Sequence, residues 1–377
     1  MLREIALLFL KLGTIGFGGP AAHVAMMEDE VVRRRGWLTR EAFLDLVGAT
    51  NLIPGPNSTE MAMHIGRARA GLAGLLVAGA CFIVPATAMV AWIAAAYVRY
   101  GELPAGLGLL AGVKPVVLAI VLQALWRLGR LAVKTRWLAA VGTVAAAASF
   151  LGASELLVLF AAAGVMAAGR SAGGDGRAGA PALGIAAIAA PAAVGGGAAA
   201  TTAGAVALGP LFLVFVKIGS VLFGSGYVLL AFLRADLVQR LHWLSDAQVL
   251  DAIAVGQVTP GPIFTTATFV GYLLAGPIGA LAATVGIFLP AFVFVAASAP
   301  LIERLRGSPL VGAALDGLNV ASLALMAVVT AHIARAAVSD VQSGAVALVA
   351  LTLLARFGVN ATWLILGGAV VGWLGSS

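Results

Sequence analysis

A chain of 377 residues that is 61% hydrophobic and 10% charged, with a mean hydropathy of +1.04, is too apolar for a soluble globular domain. Its formal charge of +7 comes without basic runs interleaved with aromatics and without a nucleic-acid motif, which argues against a nucleic-acid partner. One cysteine, Cys81, excludes an intrachain disulfide, and four scattered histidines offer no metal spacing, so neither a metal nor a cofactor is expected.

Three long stretches, between Arg69 and Arg99, Arg177 and Lys217, and Asp251 and Glu303, carry no formal charge. Each is longer than the roughly 20 apolar residues of one helical crossing. They are continuously apolar rather than alternating, so they read as helices and not as barrel strands. The fold class that follows is an all-α polytopic membrane protein. The opening "MLREIALLFLKLG" lacks the long apolar core and small-residue cleavage site of a signal peptide and is read as part of the fold.

In chain order, crossings are expected at about 7–27, 42–65, 71–98, 107–126, 137–153, 155–169, 182–200, 209–230, 248–272, 277–299, 310–333, 342–355 and 358–375, or about 12–13 in all. With the N-terminus in the cytoplasm, most Lys and Arg residues fall on inner loops, as the positive-inside bias requires. One stretch, "RRRGWLTR" (33–40), falls outside in this scheme. If 7–27 is instead a re-entrant hairpin, that loop moves inside and the crossing count drops.

An internal repeat organises the chain. Residues 9–56 align without a gap on 215–262, with 15 identities in 48 positions, too many and too ordered for shared hydrophobicity alone. "FLKLGTIGFGG" meets "FVKIGSVLFGS", and "WLTREAFLDLVGATNLIPGP" meets "WLSDAQVLDAIAVGQVTPGP". Further on, Gly66, Gly71 and Pro85 pair with Gly271, Gly276 and Pro290. The domains are therefore a first membrane repeat (1–170), a Gly-rich linker with an unpaired transmembrane segment (171–208), and a second repeat (209–377). An unpaired crossing inverts the second half relative to the first, and inverted-topology repeats place substrate where the halves meet.

Both repeats interrupt an apolar segment with Pro-Gly-Pro: Pro54-Gly55-Pro56 and Pro260-Gly261-Pro262. Proline removes an amide donor and clashes with the preceding turn, so each motif breaks a helix. In hydrocarbon a break is tolerated only against protein or a watery cavity. Asn57, Ser58 and Thr59 follow the first break, and Thr265 and Thr266 follow the second. Hydroxyls, side-chain amides and the unpaired amides of a helix start together suit an anion. Gly18 and Gly19 in "GFGGP", and Gly224 in "FGSG", allow further close backbone approach.

Three lysines lie within apolar segments, Lys11, its repeat partner Lys217, and Lys114, which precedes Pro115. An embedded lysine is a functional candidate by default, here as the cation for a bound anion. Glu60 and His64 stand one turn apart, and His23 follows GFGGP; carboxylate and imidazole groups in a membrane suit proton transfer. No phosphate loop, nucleophile elbow or Ser-His-Asp pattern supports an enzyme.

The strings "FLKLGTIGFGGPAAH" and "RGWLTREAFLDLVGATNLIPGPNSTEMAMHIG", with "FGSG", "WLSDAQ" and "PGP" in the second half, resemble the chromate ion transporter (CHR) family in its long two-domain form. The resemblance covers essentially the whole chain. It implies a secondary transporter in the bacterial inner (cytoplasmic) membrane that exports chromate, is coupled to the proton motive force and confers chromate resistance. Sulfate is then the natural competitor, and the halves are antiparallel. Motif positions carried over are Gly18, Gly19, Pro20, His23, Pro54, Gly55, Pro56, Asn57, Ser58, Glu60 and His64. The second half has Ser225-Gly226 and Ile263-Phe264 where the first has Gly-Pro and Asn-Ser, so the two sites are not equivalent. The alternatives are a passive anion channel and a transporter of sulfate or another oxyanion. Small-residue faces permit a homodimer.

Overall fold

The computed structural model describes residues 1–17, 19–101, 104–172, 206–223, 226–306, 308–338 and 340–375. The described residues are helical and loop, with no strand. Seven helices form the first set: α1 (Leu2–Ile15), α2 (Gly19–Glu28), α3 (Arg40–Thr50), α4 (Asn57–Tyr100), α5 (Pro104–Ala132), α6 (Arg136–Phe150) and α7 (Glu155–Ala172). Seven more follow in the same order: α8 (Leu208–Val221), α9 (Leu229–Leu233), α10 (Asp246–Val258), α11 (Thr266–Arg306), α12 (Pro309–Ala337), α13 (Val341–Thr352) and α14 (Ala361–Gly375). The expected linker and most of the unpaired segment lie outside the described residues, as do Gly18 and Gly224. Among the described residues, four helices are long and apolar enough to cross a bilayer, at Asn57–Tyr100, Gly108–Ala132, Ile263–Ser298 and Pro309–Ala334, and shorter apolar helices accompany them. The chain is a multi-pass membrane protein.

The repeat reaches local detail. Thr39 caps α3 by accepting the Ala42 amide at 3.2 Å, and its partner Ser245 caps α10 in a capping box with Gln248. A π-helical turn follows α2 at Asp29–Arg34, and another follows α9 at Arg234–Arg240. Both α4 and α11 contain a sharp reversal: Gly71 has φ 61° and ψ −149°, Gly276 φ 64° and ψ −155°. Only glycine adopts that region without strain. Each reversal lays a short arm (57–70, 266–275) against a long one (71–100, 276–306). Their contact is so close that a Cβ on Gly66 or Gly74, or on Gly271 or Gly279, would strike the opposite carbonyl.

Four expected crossings are corrected. Lys11 Nζ lies 2.6 Å from Glu30 Oε1, whereas a straight helix would hold them roughly 28 Å apart. So α1 and α2 fold back on each other with Gly16 and Phe17 at the tip, and 7–27 is a hairpin. The pair Lys217–Asp236, at 2.8 Å, shows the same for 209–230. Arg69, at the end of the short arm of α4, stacks 5.2 Å over Trp37, which precedes α3, and lies 3.9 Å from Glu4. Residues 42–65 therefore also turn back at Pro-Gly-Pro. Tyr97 touches both Asp251 and Phe269, so 248–272 does likewise. The physical reason is that each of these breaks carries flexible glycine, joined in all but the 209–230 segment by a proline without a donor, so the chain reverses where a lone kink would only bend it. "RRRGWLTR" then lies at the same end of the molecule as the N-terminus.

The two sets interlace. Helix α5 packs mainly on α14 and α13, while α12 packs on α7 and α6. Glycines permit this approach, because a Cβ on Gly112 would meet Gly372 Cα at 2.7 Å, and one on the partner Gly317 would meet the Ala162 carbonyl oxygen at 2.5 Å. At the centre, α4 packs on α11.

Candidate functional site

The hairpin tips of the two repeats meet reciprocally. Gly55 N–H donates to Leu222 O at 2.9 Å, and its repeat partner Gly261 N–H donates to Gly16 O at 2.8 Å. Each Pro-Gly-Pro tip is thus pinned to the glycine-containing tip of the other repeat. Prolines cannot donate, so the glycine between them supplies the amide that makes the contact. Gly55 has φ 139° and Gly261 φ 92°, and both are closely surrounded.

Beside these tips lies a cavity of about 370 Å³. Pro56, Asn57 and Ser58 line it from the first repeat, and Pro262, Ile263 and Phe264 from the second. Pro20 and Gly226, after the other two tips, also border it, and Gly19, at φ 77°, opens toward Ile263. Asn57 and Ser58 begin α4, and no side chain caps that helix end. Their amides have no carbonyl one turn back to bond within the helix, so the start carries about half a positive charge. Asn57 donates its side-chain amide to Asn51 at 3.0 Å, which leaves its carbonyl oxygen and backbone amide available.

The remaining wall was not singled out in the sequence. Helix α5 contributes Gln123 and Arg127, α12 contributes Asp316, Asn319 and Ser322, and Lys134 lies just beyond the end of α5. Lys134 Nζ and Asp316 Oδ1 pair at 3.0 Å. The signal was present: Asp316, Asn319 and Ser322 recur every third residue, and Gln123 and Arg127 are four apart. Each set is a polar stripe on an otherwise apolar helix.

The other candidates stand away from the cavity wall. Thr265 and Thr266 are buried and donate their hydroxyls to Pro262 O and Ile263 O, at 2.8 and 2.7 Å. Thr59 is buried without a partner for its hydroxyl. Glu60 is fully buried behind Gly55, neither carboxylate oxygen is hydrogen-bonded, and a side chain at Gly55 would run into it. His64, one turn on, is buried with Nε2 unbonded. His23 Nε2 lies 2.8 Å from Gly16 O, the carbonyl that also receives the Gly261 amide, and its ring packs edge-on against Phe82.

All three lysines are held by carboxylates. Lys11 bonds Glu30 and Lys217 bonds Asp236, each acid supplied by the π-turn of its own repeat. The Lys11 hydrogen bond, with Arg35 beside it, holds the Glu30 carboxyl below the usual carboxylate range. Lys114 lies 3.8 Å from Asp251 Oδ1, while the Tyr97 hydroxyl donates to Asp251 Oδ2 at 2.9 Å. That cluster joins α4 and α5 to α10 and so ties the repeats together.

A family model described as chromate transporter matches residues 3–168 and again 209–373. The chain is 31% identical to a chromate transport protein of Cupriavidus metallidurans over 375 residues, covering 98% of this chain and 92% of the relative. It is 32% identical to a chromate transport protein of Pseudomonas aeruginosa, covering 97% and 90%, and 29% identical to a probable chromate transport protein of Synechococcus elongatus, covering 93% and 89%. No solved structure matches.

Proposed function

Because this chain belongs to the chromate transporter family, whose members are transporters and not enzymes, we propose that it exports chromate by secondary transport. The membrane is the bacterial cytoplasmic membrane, and the export confers chromate resistance. The observation that carries the reading is the cavity at the meeting of the four hairpin tips. There a helix start, three prolines without donors and a row of polar side chains face one space. A tetrahedral dianion stripped of water needs several fixed donors in a small volume, and helix starts supply them. Sulfate, of the same shape and charge, competes for the same space.

The halves are antiparallel in this proposal, and several contacts support it. The start of α1, the loop before α3 and the end of the short arm of α4 share one end of the molecule, where Glu4, Trp37 and Arg69 meet. Arg67, from that end, donates to the carbonyls of Val295 and Ala296, late in the long arm of α11. Tyr97, near the opposite end of α4, touches Asp251 and Phe269, at the base of the hairpin of the second repeat. The second set therefore runs the other way. The abundance of Lys and Arg around residues 33–40 makes the N-terminal end cytoplasmic. Helix α5 returns to this end, where Lys134 pairs with Asp316 near the start of α12, so the cavity opens toward the cytoplasm, from which an exporter loads.

Energy comes from the ion gradient. A dianion leaving a negative-inside cell gains about 2.3 kcal/mol per charge per 100 mV. Glu60 is the proton-coupling group, with His64 and His23 as further candidates. Its carboxylate lies directly behind Gly55, so a change of its charge is felt by the tip that holds Leu222. Cells expressing the protein should accumulate less chromate than cells with empty vector, with sulfate uptake measured in parallel; equal accumulation of chromate overturns the assignment. In proteoliposomes a pH gradient at clamped potential should drive uptake, whereas a passive channel ignores it.

A further inference from the structure

We infer that Arg127 and Ser322 form the subsite that makes this cavity prefer divalent over monovalent oxyanions, a step that rests on the oxyanion-transport reading above. Neither residue belongs to a hairpin tip: Arg127 projects from α5 and Ser322 from α12.

Ser322 is the first observation. It is 1% exposed, lines the cavity, and its hydroxyl has no hydrogen-bond partner. Hydroxyls on apolar helices usually donate to the carbonyl four residues back. Thr330 does so on the same helix, to Met326 O at 2.6 Å, and Thr284 and Ser220 do so on α11 and α8. Ser322 does not, although Leu318 offers the same carbonyl position. A buried hydroxyl left unbonded is costly unless something else receives it. The residue itself borders the cavity.

Charge is the second. Three charged side chains line the cavity, and two of them, Lys134 and Asp316, neutralise each other at 3.0 Å. Arg127 forms no salt bridge with any carboxylate among the described residues. It is the surplus cation of the site. The guanidinium fork matches two oxygens of a tetrahedral oxyanion at once, which an ammonium does not.

The two observations divide the work. The start of α4 brings about half a positive charge, enough to hold a single negative charge with help from the Ser322 hydroxyl. The second charge of chromate or sulfate needs a full cation, and Arg127 supplies it. The embedded lysines do not serve this purpose, because each already faces its own carboxylate.

The test is uptake by proteoliposomes carrying the full-length protein, with chromate as the divalent probe and perrhenate as a monovalent tetrahedral one. Arg127→Gln should raise the chromate KM about tenfold or more while changing the perrhenate KM far less, since a charge-assisted contact is lost only where the second charge needs it. Arg127→Lys should restore part of the preference. Ser322→Ala should raise KM for both anions by about three- to tenfold, the size of one hydrogen bond, without lowering the maximal rate. An Arg127→Gln protein that keeps the wild-type ratio of chromate to perrhenate KM overturns the subsite and leaves the transport reading standing. A wild-type protein that moves neither anion overturns both.

Discussion

Replacing Gly261 by alanine should loosen the contact between the two repeats. The residue sits at φ 92°, where an L side chain costs about 1–2 kcal/mol. A Cβ there would lie 2.6 Å from the Ala86 Cβ and 3.2 Å from the Gly13 carbonyl oxygen, and neither neighbour has a flexible end to withdraw. Relieving such overpacking by backbone movement costs about 1–3 kcal/mol. The movement falls on the residue whose amide holds Gly16 O at 2.8 Å, so that bond, worth about 1 kcal/mol net, weakens with it. The expected loss is about 2–5 kcal/mol, read as a lower melting midpoint of the purified protein in detergent and a lower rate of chromate uptake. Gly164→Ala on α7, a position with nothing within 4 Å of the added carbon, serves as the control and should be neutral or slightly stabilising. A Gly261→Ala protein that melts and transports like the wild type would show that the tips do not hold the repeats together.

Other outcomes follow from the same geometry. Gly71→Ala and Gly276→Ala should each cost about 1–3 kcal/mol from backbone strain alone, since neither meets a neighbouring atom, and the two losses should be similar in thermal melts. Lys217→Met leaves the buried Asp236 with Arg240 as its remaining cation, so it should lower the melting midpoint more than the double change Lys217→Met with Asp236→Leu. Glu60→Gln should keep chromate binding while removing the response of transport to a pH gradient; wild-type pH dependence takes Glu60 out of the mechanism. In a Cys81→Ser background, Glu41→Cys should react with an impermeant thiol reagent from the side of the N-terminus, and Gly101→Cys from the opposite side. Labelling of both from one side would contradict the hairpin arrangement of α1 to α4.

The sequence by itself determined the class, the repeat and the places where helices break. Apolar stretches this long have no soluble solution, and a motif such as Pro-Gly-Pro cannot continue a helix, so both readings follow from local chemistry. What happens after a break is not local. A helix interrupted at Gly16 or Gly55 can carry on across the bilayer or turn back, and the same residues permit either course. Only the tertiary contacts of Lys11 with Glu30 and of Arg69 with Trp37 decided that it turns back. The same limit applied to the embedded charges. In the chain, Lys11, Lys114 and Lys217 were isolated cations in apolar surroundings; the fold brings an acid to each from a distant position, because an unpaired charge there is costly. Arg127 and Ser322 each belong to a polar stripe legible on its own helix, but nothing in the chain sets the two stripes side by side. Their place on one cavity arises from the packing of α5 and α12 beside the hairpin tips, which joins residues nearly two hundred positions apart and leaves no mark at either position alone.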